Sequence, residues 1–467
     1  MAPPLWQLAA TDLQRLYRER SVTPLEVAQA CLQRLDAVNP RINAVIARRD
    51  EALLREARAS TARHAVGTPL SPLDGIPLTV KDSLFTKDQV TTWGCPALAQ
   101  HRPEHDELSV GRARAAGALV LGKTNVPEFA LEGYTDNPIF GTTRNPWDLA
   151  LTPGGSTGGG VAAVASGIGP LAIGQDGGGS IRRPASHTGL VGLKPSLSAV
   201  PRHHATPSLL LDFEVIGPIG RTVADVQLLF SVMRGPDPID RSSLSAAQAA
   251  GTPLPKRLRI LYVKHWGDAP LDPQIARSCD EAVQRLAALG DHPVEVGQLP
   301  LSLEFYGTAW PQIGQVGLAR LFERHPDWAA QASNKYLAMA EQGRALPAAR
   351  LWEIVEDVRQ LRRDTVDLFR RWDLIVLPSA AALPWKAEDA YPARIDGREV
   401  GPRGHAVYTG WVNAAGLPGL ALPCEPTEEG LPIGMQLVGP YGSDEALLEL
   451  GARYEQAHSW AHRWPSL

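Results

Sequence analysis

Past residue 73 the apolar positions of the chain gather into short runs. They are Ile76–Val80, Ala118–Leu121, Leu171–Ile173, Leu190–Leu193, Leu258–Val263, Leu374–Leu377, Leu417–Leu422 and Ile433–Val438, set between glycines, prolines and polar residues. Runs this short, apolar on successive positions, read as strands buried on both faces. Between them the period lengthens. Asp272-Pro273 signals the start of a helix that ends near Gly290, and Ser443 opens another that runs through Tyr454. Residues 1–65 read as helical: Thr23 is a cap, Pro24 suits the first turn, and Leu25, Ala28, Leu32 and Leu35 share one face. Alternating strands and helices predict an α/β fold. The expectation is a single large domain over 1–467, with a central twisted mixed sheet flanked by helices on both faces.

Two stretches break the alternation. Residues 235–257, rich in Pro, Ser and Ala, read as a surface connection. Residues 300–350 lose the strand pattern and carry Trp310, Phe322, Trp328 and Tyr336. They read either as a helical cover over a pocket or as an amphipathic insertion packed on the core. The glycine-rich middle lies inside the alternation, so no boundary falls there.

Composition narrows the class. The apolar fraction is 44%, the charged fraction 21% and the net charge −4, values of a globular protein with no electrostatic footprint for nucleic acid. The four cysteines, Cys31, Cys95, Cys279 and Cys424, form no CxxC pair, which argues against a disulfide framework or a zinc site and fits a reducing compartment. The N-terminus lacks a basic start followed by an apolar core, and Val161–Gly174 is too short to span a bilayer and contains Pro170. A cytoplasmic protein with no membrane or nucleic-acid partner, a monomer or homodimer, is expected. No G-x-G-x-x-G or P-loop is present, and no cofactor or metal is expected. His101 and His105 are spaced like a metal pair, but Pro103 lies between them and a solvated loop is the better reading. His203-His204 reads as an unspecialised polar loop.

Chemistry concentrates in three segments. In Gly75–Asp82 an apolar run ends on Lys81. A lysine leaving a buried strand loses hydration, which lowers its pKa and turns its amine into a competent base. Thr152–Gly160 holds Ser156, and Gly177–Arg182 holds Ser180. Glycine runs lose entropy on folding and are useful where the chain turns sharply or closely approaches a ligand. A hydroxyl there, with bare backbone N–H groups around it, suits a nucleophile beside an anion-stabilising pocket. Ser156 is placed to relay a proton between Lys81 and Ser180, and the amides of Gly177, Gly178, Gly179 and Ser180 to receive an oxyanion. Gly154–Gly158 also satisfies G-x-S-x-G, which would make Ser156 the nucleophile of an α/β-hydrolase; no histidine is singled out as its partner.

The segments GIPLTVKDS, GALVLGKTNVPEFA, NPIFGTTRNPWD, TPGGSTGGG, GQDGGGSIRRPASHTGLVGLKPS, NAAGLPGLALPC and GLPIGMQLVG closely resemble the amidase signature family. The likeness runs from about residue 73 to 235 and returns at 372–457. It implies a serine amidase with a Ser-cisSer-Lys triad: Lys81 as general base, Ser156 as bridging serine behind a cis Gly155–Ser156 peptide, and Ser180 as nucleophile. It also implies supporting roles for Asn125, Asp176 and Arg182 around the glycine loops. Two positions depart from the family. Thr157 replaces a frequent second serine, and Gln175 stands where threonine is common.

Substrate is a matter of pocket walls. By position Ala130, Gly133, Tyr134, Gln175 and the 300–350 segment are candidates, as is Trp411, which with Tyr408 reads equally well as core packing. These weakly favour a small non-peptidic carboxamide or anilide, opened through an acyl-enzyme on Ser180. The same machinery serves carbamates (a urethanase) and esters. The glutaminase component of a tRNA-dependent amidotransferase is the other member of the family to weigh. In such glutaminases an acidic residue shortly before the NxAGLP stretch recognises glutamine's ammonium; here that position is Ala406.

Overall fold

A computed structural model describes residues 3–203, 205–301 and 304–467, so His204 and residues 302–303 of the expected cover lie outside the described residues. The strands are β1 (Val45–Arg48), β2 (Pro77–Lys81), β3 (Leu119–Thr124), β4 (Leu171–Asp176), β5 (Val191–Lys194), β6 (Val215–Gly220), β7 (Ile260–Tyr262), β8 (Val294–Val296), β9 (Leu374–Pro378), β10 (Arg394–Ile395), β11 (Arg398–Glu399), β12 (Gly419–Pro423) and β13 (Gly434–Val438). Among the described residues eleven of them form one mixed sheet in the order β1-β3-β2-β4-β6-β5-β12-β13-β9-β7-β8, and β10–β11 is a separate hairpin. Helices flank the sheet, and the largest hydrophobic core lies between them and the strands. No helix of the described residues is long and apolar enough to cross a membrane.

Every apolar run beyond residue 73 falls on a strand, because each is buried on both faces. The helix capped by Thr23 spans Pro24–Ile42, and its cap is reciprocal: Thr23 accepts from the Glu26 amide while Glu26 accepts from the Thr23 amide. Two expectations are corrected. The stretch 1–65 is not helical throughout, since Val45–Arg48 pairs antiparallel with β3. Residues 235–257 are not simply a connection: Asp240 caps a helix over Arg241–Ala249, and its Ser243 and Ala246 are buried. β6 carries Pro218 and two glycines, which masks the apolar run. It nevertheless sits inside the sheet, between β4 and β5.

One feature of the sheet positions the site. β2 runs parallel to both β3 and β4, so their carboxyl ends lie at the same edge, where open α/β sheets place their ligands. The segments leaving those ends carry Lys81 to Ser83, Thr124-Asn125 and Gln175 to Ser180. The helix Gly158–Ser166 packs against β2, β3 and β4 and brings the preceding Ser156 loop to the same edge. It approaches very closely: a Cβ on Gly159 would lie 2.4 Å from the Asn125 nitrogen. Over this edge lie the helices Glu304–Arg324 and Asn334–Arg344. Trp93, Phe129, Phe322 and Tyr336 form a small aromatic core beneath them, with Phe129 edge-on to its neighbours.

The two covering helices touch backbone to backbone. A Cβ on Gly343 would sit 2.1 Å from the Gln315 carbonyl oxygen, so Gly343→Ala forces them apart. The expected cost is about 1–3 kcal/mol, read as a lower urea midpoint. An unchanged midpoint would count against this contact.

Candidate active site

Lys81, Ser156 and Ser180 all line one cavity of about 620 Å³ beneath the covering helices. Lys81 is the last residue of β2 and is buried. Its Nζ donates to Ser156 Oγ at 2.8 Å and to the Gln175 carbonyl oxygen at 3.0 Å. The Gly155–Ser156 peptide is cis. The loops of the two serines are tied together, since the Thr157 amide donates to the Ser180 carbonyl oxygen at 3.2 Å and Thr157 Oγ1 donates to the Gln175 carbonyl oxygen. Ser156 therefore has a lysine as its partner rather than a histidine, and its G-x-S-x-G context does not make an α/β-hydrolase elbow.

Among the described residues the amine has no carboxylate in hydrogen-bond contact. Burial pushes it down to about 7; Asp176 and Glu214 pull it back up, while Arg202 and Arg183 push it further down. Near neutral pH a large share of it is the free amine. Lys123, on the neighbouring β3, is equally buried but lies 3.7 Å from Asp82. Burial pushes its amine down only to about 8, because Asp82 pulls it back. Asp82 in turn accepts from the Thr92 amide and hydroxyl, which pins the segment just after Lys81.

Asp176 organises the loop that carries Ser180. Burial would raise its carboxyl, but the Arg182 charge and hydrogen bonds overcome burial and hold it well below the usual carboxylate range. Arg182 donates to both of its oxygens, at 3.0 and 3.1 Å, and the amides of Gly179 and Ile181 donate to it at 2.6 and 3.0 Å. Arg182 continues to Gln436 Oε1 on β13, the Thr409 carbonyl and Asn413 Oδ1, and Asn413 Nδ2 donates to the Asp176 carbonyl at 2.9 Å. The Gly179 amide, expected at the oxyanion, is thus engaged by Asp176. Gly177, Gly178 and Ser180 remain at the cavity wall.

The other sequence candidates divide. Ala130, Gly133 and Gln175 line the cavity. Tyr134 does not; its hydroxyl accepts from Nζ of Lys335, which does. Trp411 is corrected: the short helix Gly410–Ala414 turns its indole into the main core, where it is fully buried away from the cavity. Asn125 donates to the Gly141 carbonyl and Thr143 Oγ1, and its own carbonyl accepts from the Gly159 amide. Gln175 does more than line the wall. Its side chain accepts from Ser83 Oγ at 2.7 Å and donates to Glu214 Oε2 at 2.9 Å, which fixes the residue whose carbonyl receives Lys81.

Residues 26–448 match the Amidase family. The chain belongs to the amidase signature family. It is a hydrolase acting on amide C–N bonds. The chain is 33% identical to a glutamyl-tRNA(Gln) amidotransferase subunit of Roseiflexus castenholzii, with 99% of this chain and 98% of that one covered. It is 32% identical to an acylamidase of Rhodococcus erythropolis, covering 98% and 97%. Among solved structures, a bacterial aryl acylamidase of the family superposes with a TM-score of 0.88 at 26% identity, covering 98% of each chain. Sequence reasoning missed Glu214, Arg183, Ser83 and Asn413 in this amidase. Glu214 immediately precedes the strand that Pro218 concealed, and Asn413 lay in a quoted segment without an assigned contact.

Asp176→Asn leaves the buried Arg182 without a counter-charge. It is expected to lower unfolding stability by about 3–5 kcal/mol near neutral pH. The Asp176 carboxyl is depressed in the fold, so its contribution is complete above the unfolded value of about 3.9 and is lost as pH falls below it. Urea unfolding of both proteins checks this: the gap should be full at pH 6 and shrink below pH 4. A gap independent of pH would contradict it.

Proposed function

We propose that the enzyme hydrolyses small non-peptidic carboxamides and anilides through an acyl-enzyme on Ser180. One observation carries the reading: a buried lysine amine, low in pKa, donates to Ser156 Oγ at 2.8 Å on the wall that also bears Ser180. Neutral Lys81 accepts the Ser156 proton as Ser156 accepts the Ser180 proton, and Ser180 Oγ bonds to the carbonyl carbon. The N–H groups of the Gly177–Gly178 turn and of Ser180 receive the oxyanion. The proton returns through Ser156 to the leaving nitrogen as the C–N bond breaks. Water then adds to the acyl-enzyme by the same relay in reverse, releasing the acid and restoring Ser180.

The cavity walls support apolar substrates. Trp93, Phe129, Leu210, Trp310 and Met339 stand around the site. The likeness to acylamidase and aryl acylamidase points the same way. The likeness to the tRNA amidotransferase component raises a glutaminase reading, but Ala406 lines the cavity where the resemblance calls for an acidic residue. Carbamates fit the same relay and belong in the same assay.

Ser180→Ala is expected to abolish anilide turnover in a folded protein, and a phosphonate reagent to label Ser180. Turnover retained in the variant, or the adduct found on another residue by mass spectrometry, would overturn the assignment. Since the relay needs the free amine, kcat/KM is expected to rise with pH through about 7 and then level off. A profile flat from pH 5 to 9 would contradict an amine base.

A further inference from the structure

The acidic side chains of the cavity are already engaged. Glu214 lies 3.0 Å from Arg202 and accepts from Gln175, and Glu132 lies 3.0 Å from Lys335. Arg403 lines the same cavity, and among the described residues no carboxylate lies within ion-pair distance of it. Its guanidinium instead lies over the Trp310 indole, 5.5 Å from the ring centroid. That indole is fixed in place. It stacks on Phe213 with centroids 5.3 Å apart and planes at 18°, and a Cβ on Gly178 would lie 2.7 Å from its ring. One flat apolar ring thus reaches from the loop of Ser180 to a cation with no described carboxylate beside it.

Resting on the Ser180 reading above, we propose that this amidase prefers amides that bear a carboxylate at the end of a short apolar segment. The segment lies along Trp310, and the carboxylate meets Arg403. The physical reasons are ordinary ones. A guanidinium presents a planar fork that matches a carboxylate with two parallel hydrogen bonds. The indole face holds the guanidinium in orientation, and the part of the ring that borders the cavity supplies apolar contact to methylenes or an aryl ring. With Glu132 and Glu214 already paired, an anionic group finds attraction at this mouth without a competing free acid among the described residues.

The carboxylate has two possible positions, and matched substrates separate them. Succinyl, glutaryl and adipoyl p-nitroanilides carry it on the acyl side and are compared with butyryl, valeryl and hexanoyl p-nitroanilides. N-acetyl-4-aminobenzoate carries it on the amine side and is compared with acetanilide. One carboxylated set is expected to exceed its neutral partners in kcat/KM by about tenfold to a hundredfold, the range of one charge-assisted hydrogen-bonded pair, mainly through KM. That ratio should fall toward one in Arg403→Ala, recover in part in Arg403→Lys, and shrink as salt is added. Neutral anilides turned over through Ser180 with no carboxylate preference would overturn this inference alone, as would a preference that survives Arg403→Ala. Turnover that persists in Ser180→Ala would overturn the reading beneath it.

Discussion

A primary amine is buried here with no described carboxylate in contact, and the rest of the site follows from that. Burying an ionised ammonium is costly, so the group shifts toward its neutral form. Lys81 is offered a hydroxyl and a carbonyl, partners that hold an amine in place without demanding its charge. Lys123, on the adjacent strand and equally buried, has Asp82 beside it, and that charge pulls its amine back up against burial. A low pKa alone does not make a base, however. Burial also pushes Lys194 down to about 7, but its Nζ donates to the Pro195 carbonyl and lines no part of the cavity. Lys81 differs from Lys194 in what its amine touches.

Asp176 is the strongest negative influence on Lys81, and the fold directs its oxygens elsewhere. Arg182 and two backbone amides occupy them. This buried pair sets the shape of the Ser180 loop, and Arg182 ties that loop to Asn413, Thr409 and β13. A buried ion pair is weak evidence for net stability, because desolvation offsets attraction. Its value here is positional: it fixes where the glycine turn faces while keeping the carboxylate oxygens out of hydrogen-bond contact with Lys81. Gln175 adds a second fixation, joining Ser83 to Glu214 around the carbonyl that receives the amine.

Much of this is legible in the sequence. Strands buried on both faces announce themselves as short apolar runs, so the central architecture can be read from Ile76–Val80, Leu171–Ile173 and their like. β6 is hidden because Gly217-Pro218 interrupts its run, and only its place between β4 and β5 makes it a strand. Val45–Arg48 is lost among helical residues on either side, since its pairing with β3 is a long-range fact that no local pattern carries. Lys81 stands out because a buried apolar run ends on its charge, and Ser156 and Ser180 because their glycine contexts make little sense otherwise. The walls do not. Trp411 and Trp310 are equally aromatic in sequence and both are buried in the main core, and only the course of the helices leaves Trp310 also on the cavity wall.

Those walls decide among the chemistries that one acyl relay can serve. Free glutamine carries both signs, an ammonium and a carboxylate, so a site built for it must offer an acid and a base that are otherwise unengaged. In this cavity Glu132 and Glu214 are paired with cations, and Ala406 supplies no charge. An ammonium entering it would leave water for walls that are apolar or already neutralised, which is unfavourable. A carboxylate meets a different balance, because Arg403 has an aromatic face and, among the described residues, no anion. On the proposed reading the asymmetry argues against an amino acid substrate more strongly than the missing acid does alone: the described residues supply a partner for one half of a zwitterion and not for the other.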